Sequence, residues 1–416
     1  MRRMPCTRRV LALLALLVAA LAPAAPAAAQ SEDAKLKSVL TREMRGASGA
    51  SGAYVVNADE GRALFGYRSA TKRILASNTK LFTNGAALAA NGPGARFETE
   101  VLGVGAIEPA SGVFPGDLYL RGAGDPSFGS SAYNRDNYAG GANVETLAEA
   151  LYDAGLRRVR GRIVGDESIF DRLRGTAYSN YHGSGAIGGP LTGLAYNHGR
   201  ASNGYFQQNP PVYAAGQFAA ALRGRGIRVD GAAAAGTAPS SALELARLEG
   251  PTMARLAQIT GVRSENWFSE MLLKALPGAG TTREGAAEAR RFARSIDSSV
   301  SVVDGSGLSR SNKASPREVV DFLLGELERP EADAFVGSLP TAGQSGTLAN
   351  RMRSGPARGR CRAKTGTINA VTTLSGYCDT AGGDTLAFSI LMNSASIGPG
   401  RSRQDRMVQA IARYRG

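Results

Sequence analysis

Lysine is scarce in this chain: only seven occur among 416 residues. Two of the seven follow a serine by three positions, in Ser69-Ala-Thr-Lys72 and in Ser77-Asn-Thr-Lys80. On a helix, residues three apart share a face, so the amine can reach the hydroxyl. A lysine stripped of water and set near other cations gives up its proton more readily. It can then take the proton of the serine and leave a nucleophile. The same spacing also suits a surface helix with a solvated lysine, and context separates the two serines. Ser69 ends a strand-like stretch among the charged residues Arg68, Lys72 and Arg73. Ser77 opens a helical stretch whose Leu81, Phe82, Ala86 and Leu88 require burial. A serine at a helix N-terminus also sits at the positive end of the dipole, which favours a developing anion. Ser77 with Lys80 is the candidate nucleophile and base.

A second element is Ser264-Glu-Asn266, between two apolar, helix-like runs. Its hydroxyl can relay a proton and its amide can bind a peptide bond, although a plain helix cap by Ser264 has the same appearance. A third is Lys364-Thr365-Gly366-Thr367. Glycine in a strand lets another backbone come close. A lysine and hydroxyls beside it suit a carboxylate, and an exposed strand edge is the plainer alternative.

Taken in this order, Ser-x-x-Lys, Ser-x-Asn and Lys-Thr-Gly resemble the signature of the penicillin-recognising serine enzymes, which are penicillin-binding proteins and serine β-lactamases. Ser77 and Ser264 lie 187 positions apart, a gap that holds a whole inserted domain. With that spacing the chain resembles the low-molecular-mass class C penicillin-binding proteins, the D-alanyl-D-alanine carboxypeptidase/endopeptidase family. Gly124-Asp-Pro126, Glu270 to Lys274, Asp304-Gly-Ser-Gly-Leu-Ser-Arg310 and Leu339 to Thr347 are further similar stretches. The similarity covers the mature chain and is looser from 127 to 245.

The resemblance implies an α+β fold: a transpeptidase/β-lactamase-like domain with an antiparallel sheet flanked by helices, plus an inserted accessory domain. It implies peptidoglycan stem peptides as substrates and β-lactams as covalent inhibitors, with no cofactor. Ser77 would attack the carbonyl of the penultimate D-alanine and Lys80 would take its proton. Ser264 would pass a proton toward the leaving amine, and Asn266 would hold the substrate backbone. Lys364 and Thr365 would fix the terminal carboxylate, and the N–H groups of Ser77 and Thr367 would form the oxyanion hole. Arg310 and Asp166 match the pair that grips the zwitterionic end of a diaminopimelate side chain. Two departures stand out. The first gap is shorter than in members with two accessory domains, and Ser-Glu-Asn replaces the commoner Ser-Asp-Asn. A serine β-lactamase is the nearest rival, but neither a class A glutamate after a short first gap nor a Tyr-x-Asn is present. An inactive cell-wall-binding protein on the same fold is the other alternative, and the intact motif residues argue against it.

The elements that must position these residues are legible in outline. Residues 52–57 and 62–67 read as a β-hairpin turning at 58–61, and 75–90 read as a helix. Between about 95 and 245 the texture changes to short β-like runs (98–104, 117–121, 160–165) with helices at 144–154 and 214–224. The Ala/Gly-rich stretch 231–241 reads as the exit linker. Helical spacing resumes from 250 through Leu273, then at 283–296 and 316–328. Strands follow at 362–367, 372–378 and 385–393, and a short helix ends the chain. The catalytic domain is thus expected from 30–94 with 246–416, and the inserted domain from 95–245.

Residues 1–29 read as a signal peptide. Arg2, Arg3, Arg8 and Arg9 precede an apolar run from Val10 to about Leu21, and Ala27-Ala28-Ala29 suits cleavage near Gln30. The run is shorter than the roughly 20 residues of a membrane span, so the mature chain is expected in the periplasm or cell-wall space with no transmembrane segment. Cys6 leaves with the signal. Cys361 and Cys378 remain, and a hairpin turning at Asn369-Ala370 would set them opposite each other, ready for a disulfide in an oxidising compartment. Two buried thiols are the alternative. Two cysteines and two scattered histidines give no metal-ligand spacing. The formal net charge of +14 comes mostly from arginine, without a dense basic run in the mature chain and with one tryptophan, so nucleic-acid binding is unsupported.

Overall fold

The computed structural model describes residues 25–416. The charged and apolar parts of the expected signal peptide therefore lie largely outside the described residues. The expected cleavage point near Gln30 falls inside the first helix, α1 (Ala25–Arg45). This helix was not anticipated from the sequence. Its Leu36, Leu40 and Met44, four apart, are all buried.

The hairpin strands β1 (Ser51–Asn57) and β2 (Arg62–Tyr67) follow. A 3-10 turn at Ala76–Asn78 leads into α2 (Thr79–Asn91). The inserted unit then begins with β3 (Arg96–Gly103), β4 (Leu118–Arg121), α3 (Val144–Asp153) and β5 (Ile163–Asp166). It continues with α4 (Pro210–Gly224), β6 (Ala234–Ala235) and β7 (Leu243–Thr252). The chain returns through α5 (Met253–Val262), α6 (Asn266–Lys274), α7 (Thr282–Ser295) and α8 (Pro316–Leu327). It ends with β8 (Cys361–Ile368), β9 (Val371–Asp379), β10 (Thr385–Asn393) and α9 (Ile397–Arg413).

The main sheet has the order β8-β9-β10-β1-β2 and is antiparallel throughout. Its central strand β10 is buried along nearly its whole length because both faces are covered. Ala387 and Leu391 point into a core shared with α2, α5, α6 and α8. Leu386, Phe388, Ile390 and Met392 point the other way, toward α1 and α9. Along β8 and β9 the register sets Cys361 opposite Cys378 and Ile368 opposite Val371, so the turn falls at Asn369-Ala370. Cys361 and Cys378 form a disulfide across this hairpin.

The inserted unit has its own five-stranded mixed sheet, in the order β6-β5-β4-β3-β7, and its own core around Phe114, Leu120, Leu147, Ile163 and Phe218. The elements near its C-terminal end differ from the sequence expectation. The stretch 231–241 contains β6, which pairs in parallel with β5. The return crossing is the strand β7, paired antiparallel with β3 from Leu243 to Thr252, so helix begins only at Met253. The charged, half-exposed sequence of β7 carries little apolar alternation, which hid the strand from periodicity.

Candidate active site

Ser77 lies in the 3-10 turn that precedes α2, and Lys80 lies in the first turn of α2. Lys80 is fully buried. Its Nζ donates to Ser77 Oγ at 3.2 Å, to Asn266 Oδ1 at 2.7 Å and to the Ser306 carbonyl at 2.7 Å. Burial pushes the ammonium down to about 8, against the pull of Glu270, Asp304 and Glu265. The backbone before the serine is held in an unusual shape: Ala76 has φ +47°. The Ala76 carbonyl packs against Gly307, where a Cβ would collide with it. Positive φ in a buried non-glycine residue persists only where the surroundings enforce it.

Ser264 and Asn266 lie where α5 gives way to α6. Ser264 (φ +60°) does not cap α6; its hydroxyl accepts from Lys364 Nζ at 2.8 Å, so the helix-cap alternative falls. Lys364 on β8 is 1 % exposed and also donates to the Thr365 carbonyl at 2.8 Å, which removes the exposed-edge alternative. Burial and the neighbouring Lys80 hold its amine well below the usual lysine range. Next to it, β8 runs tight against the turn that holds Ser77. A Cβ at Gly366 would sit 2.9 Å from the Leu75 carbonyl and 3.0 Å from the Ser77 nitrogen, and would collide with Thr373 Oγ1. The Ser77 N–H is thereby brought beside the strand that carries Thr367.

The other serine–lysine pair is not assembled. Lys72 Nζ donates to the Ser299 carbonyl at 2.8 Å and lies 3.4 Å from Glu318, with no bond to Ser69. Arg310 donates to the Asn369 carbonyl in the β8–β9 turn at 2.9 Å. Asp166, at the end of β5, is not brought into this cluster. It is 1 % exposed, and its two oxygens accept the N–H groups of Ser168 (2.9 Å) and Ala238 (2.8 Å) within the inserted unit.

Several neighbouring residues were given no role in the reading of the sequence. Glu270, one turn after Asn266 on α6, accepts the N–H groups of Gly305 and Ser306 at 2.9 Å each and so fixes the carbonyl that Lys80 uses. Asp304 ties the same loop through Gly307, Ser309 and Asn312. Burial pushes both carboxyls up, and for Glu270 the neighbouring Asp304 adds to the effect. The spacing of Glu270 from Asn266 was a usable signal; its partner loop was not. Asn78 joins the serine turn to the Lys364 carbonyl at 2.7 Å and to Ser375 at 2.9 Å. Thr347 meets Thr365, hydroxyl to hydroxyl, at 2.7 Å, and Arg401 donates to Thr367 Oγ1 at 3.0 Å. The inserted unit also contributes. The Ala186 carbonyl accepts from Asn266 Nδ2 at 2.7 Å, and the Pro190 carbonyl accepts from Trp267 Nε1 at 3.1 Å. His198, kept neutral by burial at about 4, stacks on Trp267 with ring centroids 4.3 Å apart.

The sequence pattern of the D-Ala-D-Ala carboxypeptidase 3 (S13) family matches residues 33–180 and 191–414. The chain belongs to that family. A D-alanyl-D-alanine carboxypeptidase from an Actinomadura species is 30 % identical over 453 aligned residues, covering 88 % of this chain and 82 % of the relative. Carboxypeptidase DacB of Mycolicibacterium smegmatis is 28 % identical, with 86 % and 79 % covered. Among solved structures, penicillin binding protein 4 from Haemophilus influenzae superposes with a TM-score of 0.75 at 20 % identity, over 90 % of this chain and 99 % of that one. The same Haemophilus protein has been solved complexed with a β-lactam. The resemblance to class C penicillin-binding proteins and the α+β penicillin-recognising fold are both borne out. As an S13 member the chain is a hydrolase, a serine-type D-Ala-D-Ala carboxypeptidase or endopeptidase. The family match passes over residues 181–190, the segment that carries the Ala186 contact to Asn266.

Proposed function

We propose that the enzyme cleaves peptidoglycan stem peptides at the D-alanyl bond through an acyl-enzyme on Ser77. The supporting observation is a fully buried Lys80, lowered to about 8, whose Nζ lies 3.2 Å from Ser77 Oγ. In its neutral form Lys80 accepts the Ser77 proton as Oγ attacks the carbonyl carbon of the penultimate D-alanine. The oxyanion is received by the N–H groups of Ser77 and Thr367. As the tetrahedral species collapses, the C–N bond breaks, the leaving amine takes the Ser264 proton, and the proton that Lys80 took from Ser77 passes to Ser264. Lys364, 2.8 Å from that hydroxyl, stabilises the serine oxygen as it gives the proton up. Asn266 orients the substrate backbone and keeps Lys80 in place. Water then hydrolyses the ester. The leaving group is D-alanine in the carboxypeptidase reaction and a cross-linked residue in the endopeptidase reaction, and one site serves both.

Arg310, at the lip of the β8–β9 turn, supports recognition of a carboxylate on the stem-peptide side chain. β-Lactams mimic the D-Ala-D-Ala end and acylate the same serine. The N-terminal signal pattern supports export to the periplasm or cell-wall space, and no described helix is long and apolar enough to cross a membrane. The test uses purified wall fragments and labelled penicillin. Ser77→Ala is expected to lose D-alanine release, cross-link cleavage and penicillin labelling, while Ser69→Ala keeps all three. Labelling that survives Ser77→Ala rejects the assignment, and rapid turnover of nitrocefin would favour the β-lactamase reading.

A further inference from the structure

One arginine-rich stretch escapes a reading of charge along the chain, because small and apolar residues separate its members. Arg351, Arg353, Arg358, Arg360 and Arg362 fall within one short segment, and no Asp or Glu occurs between Asp333 and Asp379. Elsewhere many surface arginines pair with carboxylates, as Arg62, Arg121, Arg158, Arg162, Arg225 and Arg247 do. In this segment Arg351 pairs with Asp405 at 2.7 Å. Arg353, Arg358, Arg360 and Arg362 are exposed, and none of them forms an ion pair among the described residues.

The fold gathers these charges and holds them in place. The segment turns at Gly355 (φ +85°) and Gly359 (φ +74°) just before β8, and it lies along α9. Gln409 of α9 donates through Nε2 to the Ser354 carbonyl at 2.7 Å and accepts the Ala357 N–H at 3.1 Å. The Gly359 N–H donates to the Ala342 carbonyl at 2.9 Å, and the disulfide fixes Cys361. Arg413 follows Gln409 by one turn on the same helix face. It too is exposed and without an ion pair among the described residues. Two carboxylates border this surface: Asp405, taken by Arg351, and Asp379, whose N–H donates to the Arg360 carbonyl at 3.1 Å. Positive charge is left in excess.

Guanidinium groups set close together create a positive field that reaches about 10 Å at 0.1 M salt. Each planar fork suits a carboxylate, but a single exposed contact is weak. A polymer that repeats its anions engages several forks at once, and tethering makes the weak contacts add. Peptidoglycan is such a polymer, because its stem peptides end in carboxylates. The surface is continuous in the chain with the site, since Arg360 leads directly into β8, the strand that carries Lys364. None of the exposed large apolar side chains falls within 349–362, so the segment offers nothing to sink into a bilayer.

We propose that this arginine surface is an exosite, outside the catalytic cleft, that holds intact peptidoglycan by the carboxylates of neighbouring stem peptides while the cleft cuts another. It rests on the function proposed above and adds a second binding surface for the same polymer. It takes no part in reading the peptide that is cleaved.

The test replaces Arg353, Arg358, Arg360 and Arg413 together by glutamine and leaves Arg362, nearest the cleft, in place. The probes are insoluble peptidoglycan stripped of protein and phosphate polymers, a soluble stem peptide ending in D-Ala-D-Ala, and labelled penicillin. Co-sedimentation with the insoluble polymer and its cleavage are expected to fall by about tenfold at low salt. Turnover of the soluble peptide and Ser77 labelling stay unchanged. The unaltered enzyme loses the same advantage in about 1 M salt, where fields are screened within about 3 Å. Lysine at the four positions keeps most of the binding. Full binding of the polymer by the glutamine variant overturns the inference. So does an equal loss on the soluble peptide, which would place these arginines in the site or the fold. Binding to phosphatidylglycerol vesicles with none to peptidoglycan also overturns it, by making the surface a membrane contact. Unaltered enzyme that binds the polymer yet releases no D-alanine and cuts no cross-link rejects the proposed function instead.

Discussion

Lys80 has to be neutral to take a proton and is surrounded by three acceptors that favour its charged form. Burial wins over them and over the nearby carboxylates, leaving the amine near 8 against an ordinary 10.5. The rate of Ser77 acylation by benzylpenicillin should therefore rise with pH through an acid limb near 8. Glu270→Gln removes a negative charge that favours the ammonium, so the limb should move to lower pH. A stopped-flow pH profile of both proteins checks this, and a limb that stays put or moves up contradicts it. The same shift has a stability sign. The folded pKa lies below the unfolded one, so between about 8 and 10.5 the unfolded chain holds a proton that the folded chain has lost. The Lys80 contribution to stability rises with pH across that window. Below it, the folded protein bears the full cost of the buried charge.

At the scale of elements, the β8–β9 hairpin carries most of the groups proposed to face the substrate: Lys364, Thr365 and Thr367 on one strand and the Arg310 contact at its turn. Its disulfide joins the end remote from that turn, at the Cys361–Cys378 pair of the register. The crosslink closes a loop with a sequence separation of 17 residues and should contribute about 3 kcal/mol by restricting the unfolded chain. Replacing both cysteines by alanine should lower the urea midpoint accordingly. Ser77 labelling at 25 °C should be retained, because the sheet pairing and the flanking helices still hold β8 beside Ser77. Loss of labelling in the folded double variant would mean that the bridge positions the site directly.

On the scale of the whole molecule, the two units are bridged at Asn266, the asparagine proposed to hold the substrate backbone. Asn266 is held between Lys80 of the main unit and the Ala186 carbonyl of the inserted one. The next residue, Trp267, is anchored by its indole to Pro190 and covered by His198. Trp267→Phe keeps the packing but removes the donor, at an expected cost of about 1–2 kcal/mol in stability. If the inserted unit positions Asn266, acylation should slow by about tenfold or more while the protein stays folded at 25 °C. Melting curves and penicillin acylation measured on the same sample separate the two effects. Unchanged acylation would leave the inserted unit without a part in setting the site.

Much of the site was legible in the sequence because its chemistry is tied to residue type at short range. A serine three before a lysine at the start of an apolar helix, a Ser-x-Asn between helices and a Lys-Thr-Gly on a strand each declare a local geometry. The strands at 52–57, 62–67, 362–367, 372–378 and 385–393 were likewise marked by apolar runs and turns. Other features were illegible for equally physical reasons. The Ala186 carbonyl is a backbone acceptor, and any residue supplies one. The helix α1 is polar along most of its length and shows its core contacts only once α9 is beside it. Asp166 has the right type for a ligand, but its oxygens are taken up by the N–H groups of Ser168 and Ala238. By itself the sequence determined which residues could act: Ser77 with Lys80, Ser264 with Asn266, and Lys364 with its threonines. Only the tertiary structure decided that Lys80 loses its water and Lys72 does not, and that Glu270 stands behind it. The fold alone also brought Arg401 to Thr367. These outcomes depend on sheet register and helix packing that join residues hundreds of positions apart, as Ser51 and Met392 are paired.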